Sequence, residues 1–124
     1  MRTLKFRQFV KGRFHYWGFL EPDSFVGPIN PQDPSQQFTG LFSKDGKEIW
    51  EGDITQTVCK DGTGLSVFRV FWDNRTARFR KIRDDGEIYD MDEWSELHKQ
   101  VIGNIYENPE LLEVTPPARV EAGE

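Results

Sequence analysis

Cysteine is nearly absent from these 124 residues: Cys59 is alone, so an internal disulfide frame is excluded. A structural zinc site, which wants four closely spaced ligands, is excluded with it. Histidine is almost as scarce, with only His15 and His98. No apolar run approaches the roughly 18 residues that would suggest a membrane-spanning helix. The opening stretch is basic but lacks the apolar segment of a signal peptide. These features lead us to expect a cytoplasmic protein of about one domain, with residues 1–113 as the folded unit. Apolar residues are few as well, at 36%. Ten Phe and four Trp must therefore supply much of the core, because each ring buries a large area at little rotamer cost.

The net charge of −5 is unevenly spread. Residues 1–20 carry five cations (Arg2, Lys5, Arg7, Lys11, Arg13) and no acid. Residues 69–83 set six cations against Asp73, and residues 84–113 set ten acids against Lys99. Such a pattern predicts neutralisation within the fold, or partners of opposite sign, subunits packed head to tail among them.

Strand signals dominate. Leu4, Phe6 and Phe9, the turn Lys11-Gly12, and Arg13 to Trp17 read as an aromatic hairpin. Residues 22–37 hold Pro22, Pro28, Pro31 and Pro34 and are expected to form a long loop without regular structure. From Phe38 onward, short strands alternate with turns at Lys44-Asp45-Gly46, Gly52, residues 60–64, residues 73–76 and Asp84-Asp85-Gly86. This spacing predicts an antiparallel meander closed into a small barrel over about residues 38–107. Asp90 and Glu93 have capping-box spacing for one short helix, with Trp94 and Leu97 on a shared face. Val101–Tyr106 is expected as the closing strand, and Asn108-Pro109 as the start of a last helical turn. Residues 114–124 are expected to form a disordered tail.

Two stretches carry a family resemblance. Phe38-Thr39-Gly40-Leu41, followed by Asp45-Gly46-Lys47-Glu48-Ile49-Trp50-Glu51-Gly52-Asp53-Ile54, resembles the central signature of the YopX-like family of phage and prophage proteins. Val101 to Leu112 resembles its closing signature, and Leu4-Lys5-Phe6-Arg7 its start. The resemblance spans about residues 3–113 and implies a mainly β protein with an SH3-like barrel, encoded by a phage or an integrated element. It brings no catalytic residues with it. Locally, Ile49, Ile54, Ile102 and Ile105 read as core positions. Asp53 is placed to cap backbone donors in the turn that Gly52 makes.

Catalysis finds little support in these residues. Glu48 and Glu51 sit at odd spacing on a strand-like segment and face opposite ways, and the acids around Asp92 and Glu96 suit a helix start. Cys59 reads as a small buried hydrophobe, no serine sits in a Gly-x-Ser-x-Gly elbow, and Asp90-Met91-Asp92 lacks the further ligands of a calcium loop. A non-enzymatic protein without cofactor is therefore expected. The aromatic excess favours protein–protein contact, with a second copy or another phage or host protein, and Tyr16, Trp17, Phe19 and Trp50 are the candidate contacts. The alternative is nucleic-acid binding by a basic strand face, with Arg69 and Phe71 on one strand and Arg78 and Arg80 on its neighbour. No membrane contact is expected.

Overall fold

A computed structural model describes residues 4–21, 24–58 and 64–112. Among the described residues, ten strands form two five-stranded antiparallel sheets. The first contains β1 (Lys5–Val10), β2 (Arg13–Glu21), β3 (Ser24–Val26), β4 (Gln36–Phe42) and β5 (Glu48–Trp50), ordered β3-β2-β1-β4-β5. The second contains β6 (Asp53–Val58), β7 (Gly64–Asp73), β8 (Arg78–Arg83), β9 (Ile88–Asp90) and β10 (Lys99–Asn104), ordered β10-β6-β7-β8-β9. A four-residue helix, α1 (Glu93–Glu96), and a 3-10 turn (Pro109–Leu112) complete the described chain.

The aromatic hairpin forms about the expected Lys11-Gly12 turn, with Phe6 opposite Trp17 and Phe9 opposite Phe14. Lys11 and Gly12 both have positive φ, 53° and 85°. That geometry matches the right-handed twist of the two strands they join. β1 and β2 are not an appendage, however. β1 lies in the middle of the first sheet, with β4 on its other side through the pairs Phe6–Gln37 and Arg7–Gln36.

The mainly β architecture is as expected, but the sheets do not close into a barrel. Among the described residues, β5 pairs only with β4 and β10 only with β6. Isolated backbone bonds stitch the sheets together instead: Gly52 N to Val70 O (2.8 Å), Ile105 N to Gly52 O (2.9 Å) and Lys44 N to Lys99 O (2.8 Å). The physical reason is the turn at Glu51-Gly52. With φ +89°, Gly52 redirects the chain after a strand of three residues, too short for a ladder around the far side. The core lies between the sheets and comprises Phe38, Ile49, Trp50, Ile54, Phe68 and Val70. Ile102 and Ile105, expected there too, are only half-buried.

Three local expectations are corrected. The stretch 22–37 is not wholly irregular: Ser24–Val26 pairs with β2, and Gln36-Gln37 opens β4. No proline falls at those positions, so their backbone donors remain available. The prolines at 28, 31 and 34 lie in the connection between, which Gln8 ties down by donating to the carbonyls of Asn30 and Asp33. The helix cap is Asp92, not Asp90: its Oδ1 accepts from Ser95 N at 2.7 Å, while Asp90 ends β9. The closing strand is Lys99–Asn104, two residues earlier than expected. Asn104 then turns the chain by accepting from the backbone N–H groups of Tyr106 and Glu107. The tail at 114–124 and Cys59 lie outside the described residues.

Gly18 shows how tightly the hairpin is closed. Its φ is +106°, and a Cβ there would stand 2.6 Å from the carbonyl oxygen of Leu4, a backbone atom that cannot swing aside. Gly18→Ala is expected to destabilise the protein by about 1–3 kcal/mol, read as a lowered urea midpoint with unchanged slope.

Candidate interaction site

Charge in this fold is placed before it is exposed. Arg7 on β1 is buried at the junction of the two sheets. Its Nη2 donates to Asp53 Oδ1 at 2.8 Å, and its Nε to Gln36 Oε1 at 2.9 Å. The guanidinium lies 4.1 Å from the ring centre of Phe14 and 5.1 Å from that of Trp50. Asp53, in turn, accepts from Trp50 N through Oδ2 at 2.8 Å, the turn-capping role expected of it. Burial pushes the Asp53 carboxyl up from the usual aspartate range, while the Arg7 charge and the bond to Trp50 pull it down.

Above this pair opens a hollow of about 440 Å³, walled by Phe14, Tyr16, Trp50 and β10 residues Val101 to Asn104. Phe14 and Tyr16 also line a second hollow of about 640 Å³ with Arg13, His15, Val26 and Ile29. The two aromatic rings therefore stand as a partition between two concavities. Lys5 pairs with Glu48 at one margin, and Glu107 accepts from Asn104 Nδ2 at the other.

The four candidate contacts separate. Tyr16 is 48% exposed and meets the edge of Trp50 at 5.4 Å. Trp50 itself is 5% exposed and belongs mainly to the core. Trp17 points to the opposite face of β2, where it stacks on Phe6 at 4.3 Å and donates to Ser35 Oγ. Phe19, 46% exposed, packs edge-on against Phe25 at 5.2 Å. Phe25 and Ile29 are each 59% exposed, and Leu20 and Val26 are exposed as well. The β2–β3 margin, including a strand edge with no further neighbour in its sheet, is thus rich in apolar surface.

The arginine face is organised differently. Phe71 opposes Arg80, Asp73 opposes Arg78 and Arg69 opposes Ile82, so the four candidate residues share one sheet face. Arg80 is held by Asp73 (3.0 Å) and Asp90 (3.0 Å), and Arg78 lies 3.6 Å from Asp90. The hydrogen bond from Arg80 draws the Asp73 carboxyl below the usual range. Arg83 does the same to Asp85, to about 2. Acids from the 84–96 segment therefore neutralise the β8 cations within the fold. Arg69 lines a separate pocket with Val67, Ile82, Asp84, Leu111 and Leu112.

Two features escaped the sequence. Lys81 and Glu96 form a buried pair at 2.6 Å, with Lys99 alongside, its ammonium pushed down by burial and then by the Lys81 charge. Trp94, expected to share a packed face with Leu97, is 73% exposed. Its ring meets His98 at 4.4 Å, and His98 Nδ1 lies 2.8 Å from the Trp94 carbonyl oxygen. The spacing Asp92-x-x-Ser95 was the available sign that α1 starts two residues later than expected, which turns Trp94 outward. No group of three or more potential metal ligands occurs among the described residues, and no helix there is long and apolar enough to cross a membrane.

The family model described as YopX protein matches residues 23–113. This chain belongs to that family. The match takes in β3 and the proline-rich connection, and it leaves out the β1–β2 hairpin that carries Arg7 and Tyr16. Among solved structures, the chain is similar to protein EF1440 from Enterococcus faecalis, at 30% identity and a TM-score of 0.51. That similarity covers 79% of this chain and 64% of the other, so the YopX-family chain described here spans less than two thirds of that protein. A search of curated proteins finds no match.

Three variants test the electrostatics. Arg7→Ala leaves Asp53 buried without its cation and is expected to cost about 3–5 kcal/mol by chemical denaturation. Arg7→Met with Asp53→Leu is expected to recover a large part of that loss. Glu51 lines a groove with Phe6, Trp17, Trp72 and Phe79, and burial raises its carboxyl above the usual glutamate range. A carboxyl raised in the folded state adds stability in acid, below its unfolded pKa of roughly 4.3. That contribution is lost as pH rises through the folded value. Glu51→Gln is therefore expected to be more stable than wild type at neutral pH, with the gap in urea midpoint closing toward pH 4.

Proposed function

We propose that this chain is a non-enzymatic accessory protein of a phage or prophage, acting in the bacterial cytoplasm as a binding and assembly module that associates with copies of itself. The observation that carries this reading is the exposed apolar surface on both sides of the β2–β3 margin: Phe19 and Phe25 on the Trp17 face, and Val26 and Ile29 beside Tyr16 on the other, with Leu20 exposed nearby. A soluble monomer rarely leaves so many large apolar side chains together on one edge, and aromatic residues are what protein interfaces gather. The phage setting is supported by the resemblance of the central and closing signatures and by membership of the family.

The non-enzymatic reading draws on the state of the acidic groups around the hollow above the Arg7–Asp53 pair. Asp53 is committed to Arg7, Glu48 to Lys5, and Glu107 to Asn104. Acid–base chemistry wants groups held apart in pKa and free to exchange a proton with substrate, and these are tied into structural bonds. Nucleic-acid binding is the weaker reading, because Arg78 and Arg80 already face Asp73 and Asp90. A phosphate backbone would have to displace those acids.

Light scattering at high micromolar concentration is expected to show a mass above that of one chain; a strict monomer would overturn self-association. Single-stranded DNA at low salt is expected to leave the protein's mobility unchanged. A shift that fades steeply with added salt would favour the nucleic-acid reading instead.

A further inference from the structure

We infer that Trp94 of one copy seats in the hollow beside Tyr16 of another, an acidic knob entering an apolar socket with a basic rim. The inference rests on the self-association proposed above and names the two surfaces that meet.

The knob is Trp94. An indole 73% exposed on a helix of four residues contributes little to the fold that displays it. Other bonds anchor α1: Asp92 caps it, Glu96 pairs with Lys81, and Lys99 Nζ donates to the Ser95 carbonyl. Apart from its contact with His98, the Trp94 ring is open to solvent, and tryptophan is among the residues that most often carry binding energy at interfaces. Its neighbours Asp92 and Glu93 are exposed acids.

The socket is the hollow of about 640 Å³ walled by Phe14, Tyr16, Val26 and Ile29. Arg13 and His15 line the same hollow, and exposed Lys11 lies two residues before Arg13 on the adjoining turn. An apolar centre with a cationic margin complements an indole flanked by carboxylates, in shape of chemistry and in sign. Their placement allows repetition. α1 packs against β4 and β10, whereas the socket lies at the β2–β3 margin, with β1 between β2 and β4. One copy can therefore offer its knob to one neighbour and its socket to another.

Sedimentation analysis of two variants, alone and mixed, tests the contact, with thermal melts to establish that both fold. Trp94→Ala removes the knob and Ile29→Arg fills the socket; both residues are largely exposed, so the fold is expected to survive. Each variant alone is expected to sediment at the mass of one chain. The equimolar mixture is expected to recover a two-chain species, because one variant keeps the socket and the other keeps Trp94. The inference is overturned if Trp94→Ala retains the wild-type mass, or if the mixture stays at one-chain mass. Wild type oligomeric with both variants unaffected would leave self-association standing and place it on another surface. Wild type monomeric would remove both.

Discussion

The buried pair of Arg7 and Asp53 is the point on which the two sheets depend. Arg7 belongs to the central strand of the first sheet and Asp53 to the first residue of the second. The bond between them crosses the junction where the chain turns at Gly52. Neither ion is solvated, so each makes the other tolerable: their attraction and their further bonds, to Gln36 and to Trp50 N, offset desolvation costs that run to several kcal/mol per ion. The rings of Phe14 and Trp50 lie against the guanidinium and cover part of it. A purely apolar junction could be as stable. An ionic one is satisfied only where the two charges meet.

From that constraint the rest of the surface follows. Once Arg7 faces inward, alternation along β1 and β2 sends Phe14 and Tyr16 to the same face as Arg7, and Phe6 and Trp17 to the other. The first group forms the partition between the two hollows, and the second faces Ser35 and Phe25. A second buried pair, Lys81 with Glu96, holds α1 down, so Trp94 can protrude without loosening the helix beneath it. Two charged pairs lie inside with the aromatic core, and several further aromatic side chains lie at the surface. Those exposed rings are what supports the proposed binding role.

Much of this was legible in the residues. The aromatic hairpin, the Asp-Gly and Lys-Gly turns, the cap supplied by Asp53 and the core places of Ile49 and Ile54 follow from period-two alternation and turn chemistry, which are local. The neutralisation of the β8 arginines by the acids that follow them was legible as well, because segments joined by a tight turn have to lie side by side. Less visible was the short strand at 24–26, whose exposed side chains carry no burial pattern to distinguish them from a loop.

By itself, then, the order of residues determined that this chain makes short antiparallel strands around an aromatic core, and that segments of opposite charge follow one another along it. It could not determine that the sheets stay open, that Arg7 is buried rather than solvated, or that Trp94 points to solvent. Those outcomes depend on which sheet face meets which, a choice made by contacts between residues some 46 positions apart, as for Arg7 and Asp53. Alternation says that a residue faces one side or the other, and only the packing of the second sheet decides which side is dry.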